Sequence, residues 1–161
     1  MDVRVKDVSA VGTEFLFDVV IDLEPGLSIG GPVGHRTMFG AAGGTFEGPK
    51  IRGEVLPGGG DWAVFRGDGN MQLDVRLTLR TEAGDLIYVT YGGRWIIPAE
   101  LRTAARDSAV NRTIEPAQYY WRTTVLFETG SERFSWLNDI VAVGSGYLVE
   151  NGVAYRVFEV L

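Results

Sequence analysis

The sequence predicts an all-β protein, a closed barrel or a sandwich built from about eight to ten short antiparallel strands with one short helix. Three observations carry this. Segments with period-2 alternation of apolar and polar residues recur along the chain, which is the pattern of a strand with one face buried. The 22 glycines and six prolines are scattered between those segments as turn punctuation and do not gather into a linker. A helical period is found in one place only, whereas a parallel α/β sheet would need a helix for each crossover.

In chain order, the candidate strands begin with Asp2–Val8 and Glu14–Leu23, followed by Thr45–Leu56 and Asp61–Phe65. The clearest is Gln72–Arg80, where Leu73, Val75, Leu77 and Leu79 share one face and Asp74, Arg76, Thr78 and Arg80 the other. Thr81-Glu82-Ala83-Gly84-Asp85 then reads as a turn into Leu86–Tyr91, rich in β-branched and aromatic residues. Pro98–Val110 is the helical exception: Pro98 suits the first helical position, and Leu101, Ala104 and Ala105 can share a face. Tyr119–Thr129, Asp139–Val143, Gly146–Glu150 and Val153–Val160 complete the set, the last two joined by Asn151-Gly152 as a type I′ turn. One domain over residues 1–161 is expected, without internal repeats.

Composition narrows the chemistry. Fifteen basic and 21 acidic residues give a net charge of -6, which argues against nucleic acid as the main ligand because no basic run supplies counterion release. The absence of cysteine excludes disulfides, thiolate metal sites and thiol nucleophiles together. With His35 as the sole imidazole, multi-histidine metal chemistry is excluded as well, so no metal is expected. No apolar run is long enough to span a bilayer and the start does not resemble a secretory signal, so the expected location is cytoplasmic. Asn111-Arg112-Thr113 matches a glycosylation sequon, read as accidental in that setting.

Leu56-Pro57-Gly58-Gly59-Gly60-Asp61-Trp62 suggests a phosphate cradle but lacks the Lys-Ser/Thr and the following helix; a glycine tight turn is the simpler reading. Gly30–Arg36 fails the dinucleotide pattern. There His35 reads as a surface or packing residue, with a base role as the alternative. What remains for acid–base work is carboxylates, arginines and tyrosine hydroxyls. Asp74 lies on the polar face of its strand, solvated in a sandwich but able to face the cavity of a ligand-holding barrel. Tyr120 and Arg122 share a strand face, where an arginine between aromatics can hold an oxyanion, or simply pair with an acid such as Glu128. Trp136 and Asn138 offer a stacking wall and an amide donor, or core.

Several stretches taken together resemble the domain of unknown function 3237 family. They are Gly31-Pro32-Val33-Gly34-His35-Arg36, Gly43-Gly44 with Gly48-Pro49, Gly53–Trp62, Leu73-Asp74-Val75-Arg76, Tyr120-Trp121-Arg122-Thr123 and Trp136-Leu137-Asn138. The likeness runs in order from about Gly30 to the C-terminus, and its specificity lies in the combination. Leu77 and Phe134 depart from it, standing where tyrosines are expected. The resemblance implies a calycin-like antiparallel β-barrel that self-associates, most simply as a homodimer, with no required cofactor. It also implies cofactor-free ring closure, a hydroxyl adding across an activated alkene, and points to Arg36, Asp61, Trp62, Asp74 and Arg122.

The resulting expectation is a cofactor-independent enzyme acting on a small conjugated or phenolic molecule. Asp74 is the expected base or acid, Asp61 the group that orients substrate or relays the proton, and Arg36 and Arg122 the oxyanion donors. Trp62, Tyr88, Tyr120 and Trp136 are expected as walls, with Asn138 as a donor. The alternatives are a lipocalin-like carrier and a self-assembling structural domain.

Overall fold

A computed structural model describes residues 2–8 and 10–161. Nine strands form one antiparallel sheet: β1 (Thr13–Leu23), β2 (Leu27–Gly30), β3 (His35–Glu47), β4 (Arg52–Phe65), β5 (Met71–Thr81), β6 (Leu86–Ile96), β7 (Tyr120–Glu128), β8 (Ala142–Val149) and β9 (Gly152–Val160). From β3 to β9 each strand pairs with its sequence neighbour, and β1 pairs with both β9 and β3, so eight strands close into a barrel. β2 is the extra strand. It continues along β3 after the chain of β1 breaks at Glu24-Pro25-Gly26, pairing Leu27 with Met38 where β1 had paired Leu23 with Ala41.

Alternation on β5 is strict, with Leu73, Val75, Leu77 and Leu79 buried inside the barrel and Asp74, Arg76 and Arg80 outside. Each inward side chain contributes roughly 2 kcal/mol through burial of its apolar surface. The two ends of the interior differ. At one end Phe17 meets Phe46 and Phe127 edge to face, at centroid distances of 5.6 and 6.0 Å, and Val55 and Leu137 fill the remaining space. The short 3₁₀ turn Ser135–Asp139 carries Leu137 into that end. At the other end the β6–β7 connection crosses the barrel as a chain of short turns around α1 (Arg102–Arg106). Arg102 ties this crossing down by donating to the carbonyls of Ile97 and Asp68, and Asn70 accepts from the Ile97 amide.

Several expectations are corrected here. Asp2–Val8 is not a strand: both edges of β1 are already taken by β9 and β3, and the aliphatics of this stretch stand in solvent, Val3 at 99% exposure. Asp2 instead binds the backbone and guanidinium of Arg4. Thr45–Leu56 divides at a tight turn in which the Gly48 amide donates to the Ile51 carbonyl, and the glycine-rich stretch before it is the rest of β3. Gly58-Gly59-Gly60 is no turn: Pro57, Gly58 and Gly59 form a bulge inside β4, between Leu56 and Gly60, which both pair with β5. Asp139–Val143 and Gly146–Glu150 merge into β8, with Asp139 left in the 3₁₀ turn. The helix shrinks to five residues flanked by 3₁₀ turns, its polar flanks having only the barrel mouth to pack on. The last hairpin pairs Val149 with Gly152, so its two turn residues are Glu150 and Asn151, of which only Asn151 has positive φ. That is incompatible with type I′, which needs positive φ at both.

No helix among the described residues is long and apolar enough to cross a membrane. Closure rests on Gly44, which has φ of +141° and lies against the backbone of Val20, where a Cβ has no room. Gly44→Ala should therefore cost about 3 kcal/mol or more in urea unfolding, with Gly67→Ala, which meets open space, within ~0.5 kcal/mol of the parent. Equal stabilities for the two variants would show that closure tolerates a side chain there.

Candidate functional site

Between the crossing segment and the filled end lies a cavity of about 320 Å³. Its wall is aromatic and aliphatic: Phe39, Phe65, Tyr91, Trp95, Trp121 and Tyr155 carry most of its character. Trp95 and Trp121 stack at 4.3 Å, and Tyr155 meets both Trp121 and Tyr91 edge on. Room for these large rings comes from glycine across the sheet. Gly146 on β8 pairs with Tyr155, and a Cβ there would collide with the Tyr155 and Trp121 rings.

One carboxylate lines this cavity among the described residues, that of Asp61. It reaches the interior by strand parity, which the bulge just before it leaves intact. Four residue steps from Leu56 to Gly60 stand against two from Thr78 to Arg76 on β5, so the excess is even and the inward–outward alternation survives. Val55, Asp61 and Ala63 therefore all point inward. Asp61 is 9% exposed and its Oδ1 accepts the backbone amide of Asp74 at 2.9 Å. Burial pushes its proton affinity up strongly, the Asp74 amide pulls it partly back, and the negative charge of Asp74 pushes it up further; its pKa stands at about 7.

Two phenols accompany it. Tyr91 and Tyr155 are held neutral by burial, with Asp61 near enough to raise both further, and the Tyr155 hydroxyl faces that of Tyr91 as donor. The indole N–H groups of Trp95 and Trp121 are buried and find no acceptor within hydrogen-bonding distance among the described residues; that of Trp121 acts on the Tyr155 hydroxyl only from longer range. Each such orphaned donor costs on the order of 1–3 kcal/mol. The interior thus holds a proton acceptor of near-neutral pKa facing several donors.

Of the residues expected to form a site, only Asp61 lines the cavity, so the expected convergence on a shared pocket is not found. Strand parity is the reason. Asp74 projects outward beside Arg76, its side chain 51% exposed, and touches the interior only through its amide and its charge. Arg122 is also outside, over the Tyr120 ring and bonded to Ser145 and its own neighbour's carbonyl. Arg36 is half-buried and donates to the Trp62 carbonyl at 2.7 Å; Trp62 sits on the outer face under Arg76. Tyr88 and Tyr120 are exposed. Trp136 lies in the 3₁₀ turn at the filled end under Lys50, and Asn138 clamps the backbone of Thr129 from both sides. His35 is exposed and pairs with Ser28 at 2.9 Å. Leu77, where a tyrosine was expected, lines the cavity with an apolar side chain, and Phe134 is core. Tyr91, Trp95, Trp121 and Tyr155 line the cavity and are absent from the expected site residues. Their inward parity on β6, β7 and β9 was the available signal, since each shares a face with buried aliphatics. Among the described residues no group of three or more His, Asp or Glu side chains is placed to hold a metal ion.

Fold and site together define a closed antiparallel β-barrel with an aromatic cavity and, among the described residues, one carboxylate on its lining. The chain belongs to the family described as protein of unknown function DUF3237, which it matches over residues 11–160. It is 30% identical over 150 residues to a UPF0311 protein of Clostridium acetobutylicum, covering 91% of this chain and 93% of that one. Among solved structures it is similar to a conserved protein of unknown function from Rhodopseudomonas palustris, with TM-score 0.87, 28% identity and coverage of 96% and 100%. A β-barrel-like protein from Acinetobacter baumannii gives TM-score 0.82 at 32% identity, covering 96% and 99%. An enzyme from Penicillium herquei shares the fold, with TM-score 0.70, 21% identity and coverage of 97% and 98%.

Asp61 makes stability depend on pH with a definite sign. Its folded pKa, about 7, lies above the ordinary 3.8, so the folded state binds more protons between those values and stability falls as pH rises through that window. Keeping the group ionised inside costs on the order of 4 kcal/mol by comparison with keeping it protonated. Denaturation midpoints at pH 5 and pH 8 should show a drop for the parent that Asp61→Asn largely removes; an equal drop in both proteins would place the titrating group elsewhere.

Proposed function

We propose that the protein is a cofactor-independent enzyme that moves a proton on a small conjugated or phenolic molecule held in the barrel, with Asp61 as the acid–base group. The observation that carries this reading is a carboxyl of near-neutral pKa buried in an aromatic cavity beside two neutral phenols. A general base works best when its pKa lies near the working pH, and burial, helped by the charge of Asp74, brings Asp61 there. That the same fold serves an enzyme in Penicillium herquei is compatible with the reading.

The reaction that best uses this arrangement is addition of a substrate hydroxyl across an activated alkene. The Asp61 carboxylate takes the hydroxyl proton, and the oxygen bonds to the β-carbon. The alkene electron pair moves onto the conjugated carbonyl as an enolate, and Asp61-H returns its proton to the α-carbon. Atoms and electrons balance within one substrate, so the product is an isomer. The enolate oxygen develops charge in a low-dielectric setting and takes hydrogen bonds from the Tyr91 or Tyr155 hydroxyl and the Trp95 N–H, a contribution commonly worth a few kcal/mol. In this reading Arg36 and Arg122 leave the oxyanion role to those donors. Asp74 acts through its amide, which orients Asp61, and Trp62, Tyr88, Tyr120, Trp136 and Asn138 stand outside the reacting volume.

The dominance of apolar wall favours a second reading, a carrier that retains an aromatic ligand unchanged. Incubation with a panel of ortho-hydroxylated aryl enones, followed by chiral chromatography and mass analysis, separates the two. The enzyme produces one enantiomer of the cyclised isomer faster than buffer does, whereas the carrier returns its ligand intact. For the enzyme, Asp61→Asn should lower kcat/KM at least 10³-fold while leaving ligand affinity within a few-fold. The parent's rate should climb with pH through about 7 and level off above it. A pH-independent rate, or full activity in Asp61→Asn, would remove Asp61 from the reaction.

A further inference from the structure

The cavity is polar at two places, deep at Asp61 and again at its mouth, where Arg106 and Asn111 line it. These two belong to the crossing segment: Arg106 ends α1 and Asn111 begins the following 3₁₀ turn. Arg106 lies one helical turn beyond Arg102, so the two point to neighbouring parts of the same side. Their fates differ. Arg102 spends its guanidinium on the carbonyls of Ile97 and Asp68 and anchors the crossing. Arg106 makes no side-chain hydrogen bond or ion pair among the described residues, although the chain carries an excess of acid.

Three carboxylates near this end already have partners. Asp68 holds Arg66 at 2.6 Å and the Asn70 amide, Asp107 accepts the Ala109 amide, and Glu150 holds Arg112 at 2.9 Å. Asn111 likewise uses its backbone amide on the Asp107 carbonyl, and among the described residues its side-chain amide has no partner. An uncommitted guanidinium and an uncommitted amide thus stand at the rim of an otherwise apolar opening. Below them the wall is aromatic, and among the described residues the only other formal charge on it is that of Asp61.

From this we infer that the ligand is an aromatic or conjugated acid: its ring system lies against Trp95, Trp121 and Phe65, while an anionic oxygen group such as a carboxylate stays at the mouth on Arg106 and Asn111. A carboxylate accepts from a guanidinium in paired geometry, and the amide N–H₂ adds a further donor. The placement also fixes direction. An anion is repelled from the Asp61 end and drawn to the Arg106 end, so the neutral, reactive part of the molecule enters first. The inference rests on the cavity being the ligand site proposed above and adds which end of the ligand is charged.

The test is calorimetric titration of the full chain, at low salt, with three probes of one shape: 2-naphthoate, 2-naphthylmethanol and 2-naphthylmethylammonium. The parent should bind the carboxylate about tenfold more tightly than the alcohol, and the ammonium more weakly than either. Arg106→Gln should bring the carboxylate to the affinity of the alcohol and leave the alcohol unchanged, which also reports that the variant is folded. Arg112→Gln, whose parent residue is paired with Glu150 outside the cavity wall, should keep the preference. Equal binding of carboxylate and alcohol by the parent, or a preference that survives in Arg106→Gln, overturns the charged-end inference while leaving the cavity as a site for aromatic ligands. Failure of all three probes to bind overturns the cavity reading itself, and this inference with it.

Discussion

Everything inside this protein depends on β1 lying between β9 and β3. Seven consecutive strands make a curled meander, and a meander has two edges whose amides and carbonyls need partners. β1 satisfies both, pairing from Thr13 to Asp22 with β9 and from Asp18 to Leu23 with β3. Arg156 on β9 reaches across to Asp18 with both ends of its guanidinium, at 2.9 Å each, where the two pairings overlap. The pair is exposed and its energetic weight is modest; the closure itself comes from the backbone ladders and from Gly44, which lets the strands approach. Only a closed wall turns the inward side chains into an interior, and only an interior can change the proton affinity of Asp61.

That interior is divided along its length. The phenylalanines at one end pack as a core does, whereas at the other end larger rings pack against one another along the wall and leave open space beside them. The filled end supplies stability that the open end forgoes, since an unfilled apolar volume surrenders dispersion contacts along its whole lining. The orphaned indole donors and the buried carboxyl add to the deficit at the same end. Unfavourable terms collected in one half of a barrel, beside a crossing segment fastened by Arg102, fit a division of labour between folding and function.

Much of the architecture was legible because alternation is a direct consequence of the strand. Gln72–Arg80 fell on β5 with its faces correctly sorted, and Tyr119–Thr129 on β7, since both are regular and free of glycine. Legibility failed where glycine interrupts a strand without ending it. His35–Gly44 drew no strand assignment and Gly58-Gly59-Gly60 read as a tight turn, yet their glycines serve close strand approach and a bulge, a distinction that depends on the neighbouring strand and not on local sequence. The site was harder for a related reason. Asp61 was visible as an acid after a glycine run, but its companions were chosen among polar residues on polar faces, which in a barrel are the faces turned to solvent. Tyr91, Trp95, Trp121 and Tyr155 read as core, and in a barrel with room inside, core and binding wall are the same surface.

The bulge before Asp61 carries a consequence for how this chain can change length. Residues added or lost between Leu56 and Gly60 can be taken up in the bulge itself, as the odd excess between Gly40 and Thr45 is; where they instead slide the pairing of β4 against its neighbours, the pleat answers only to whether the number is even or odd. An even change moves the bulge and leaves the carboxyl indoors. An odd one exchanges Asp61 for Trp62, filling the cavity with an indole and delivering the acid to solvent, where its affinity for a proton would return to that of any surface aspartate. The barrel would still close. In this stretch, then, arithmetic modulo two separates a barrel with chemistry inside it from a barrel that is only a barrel.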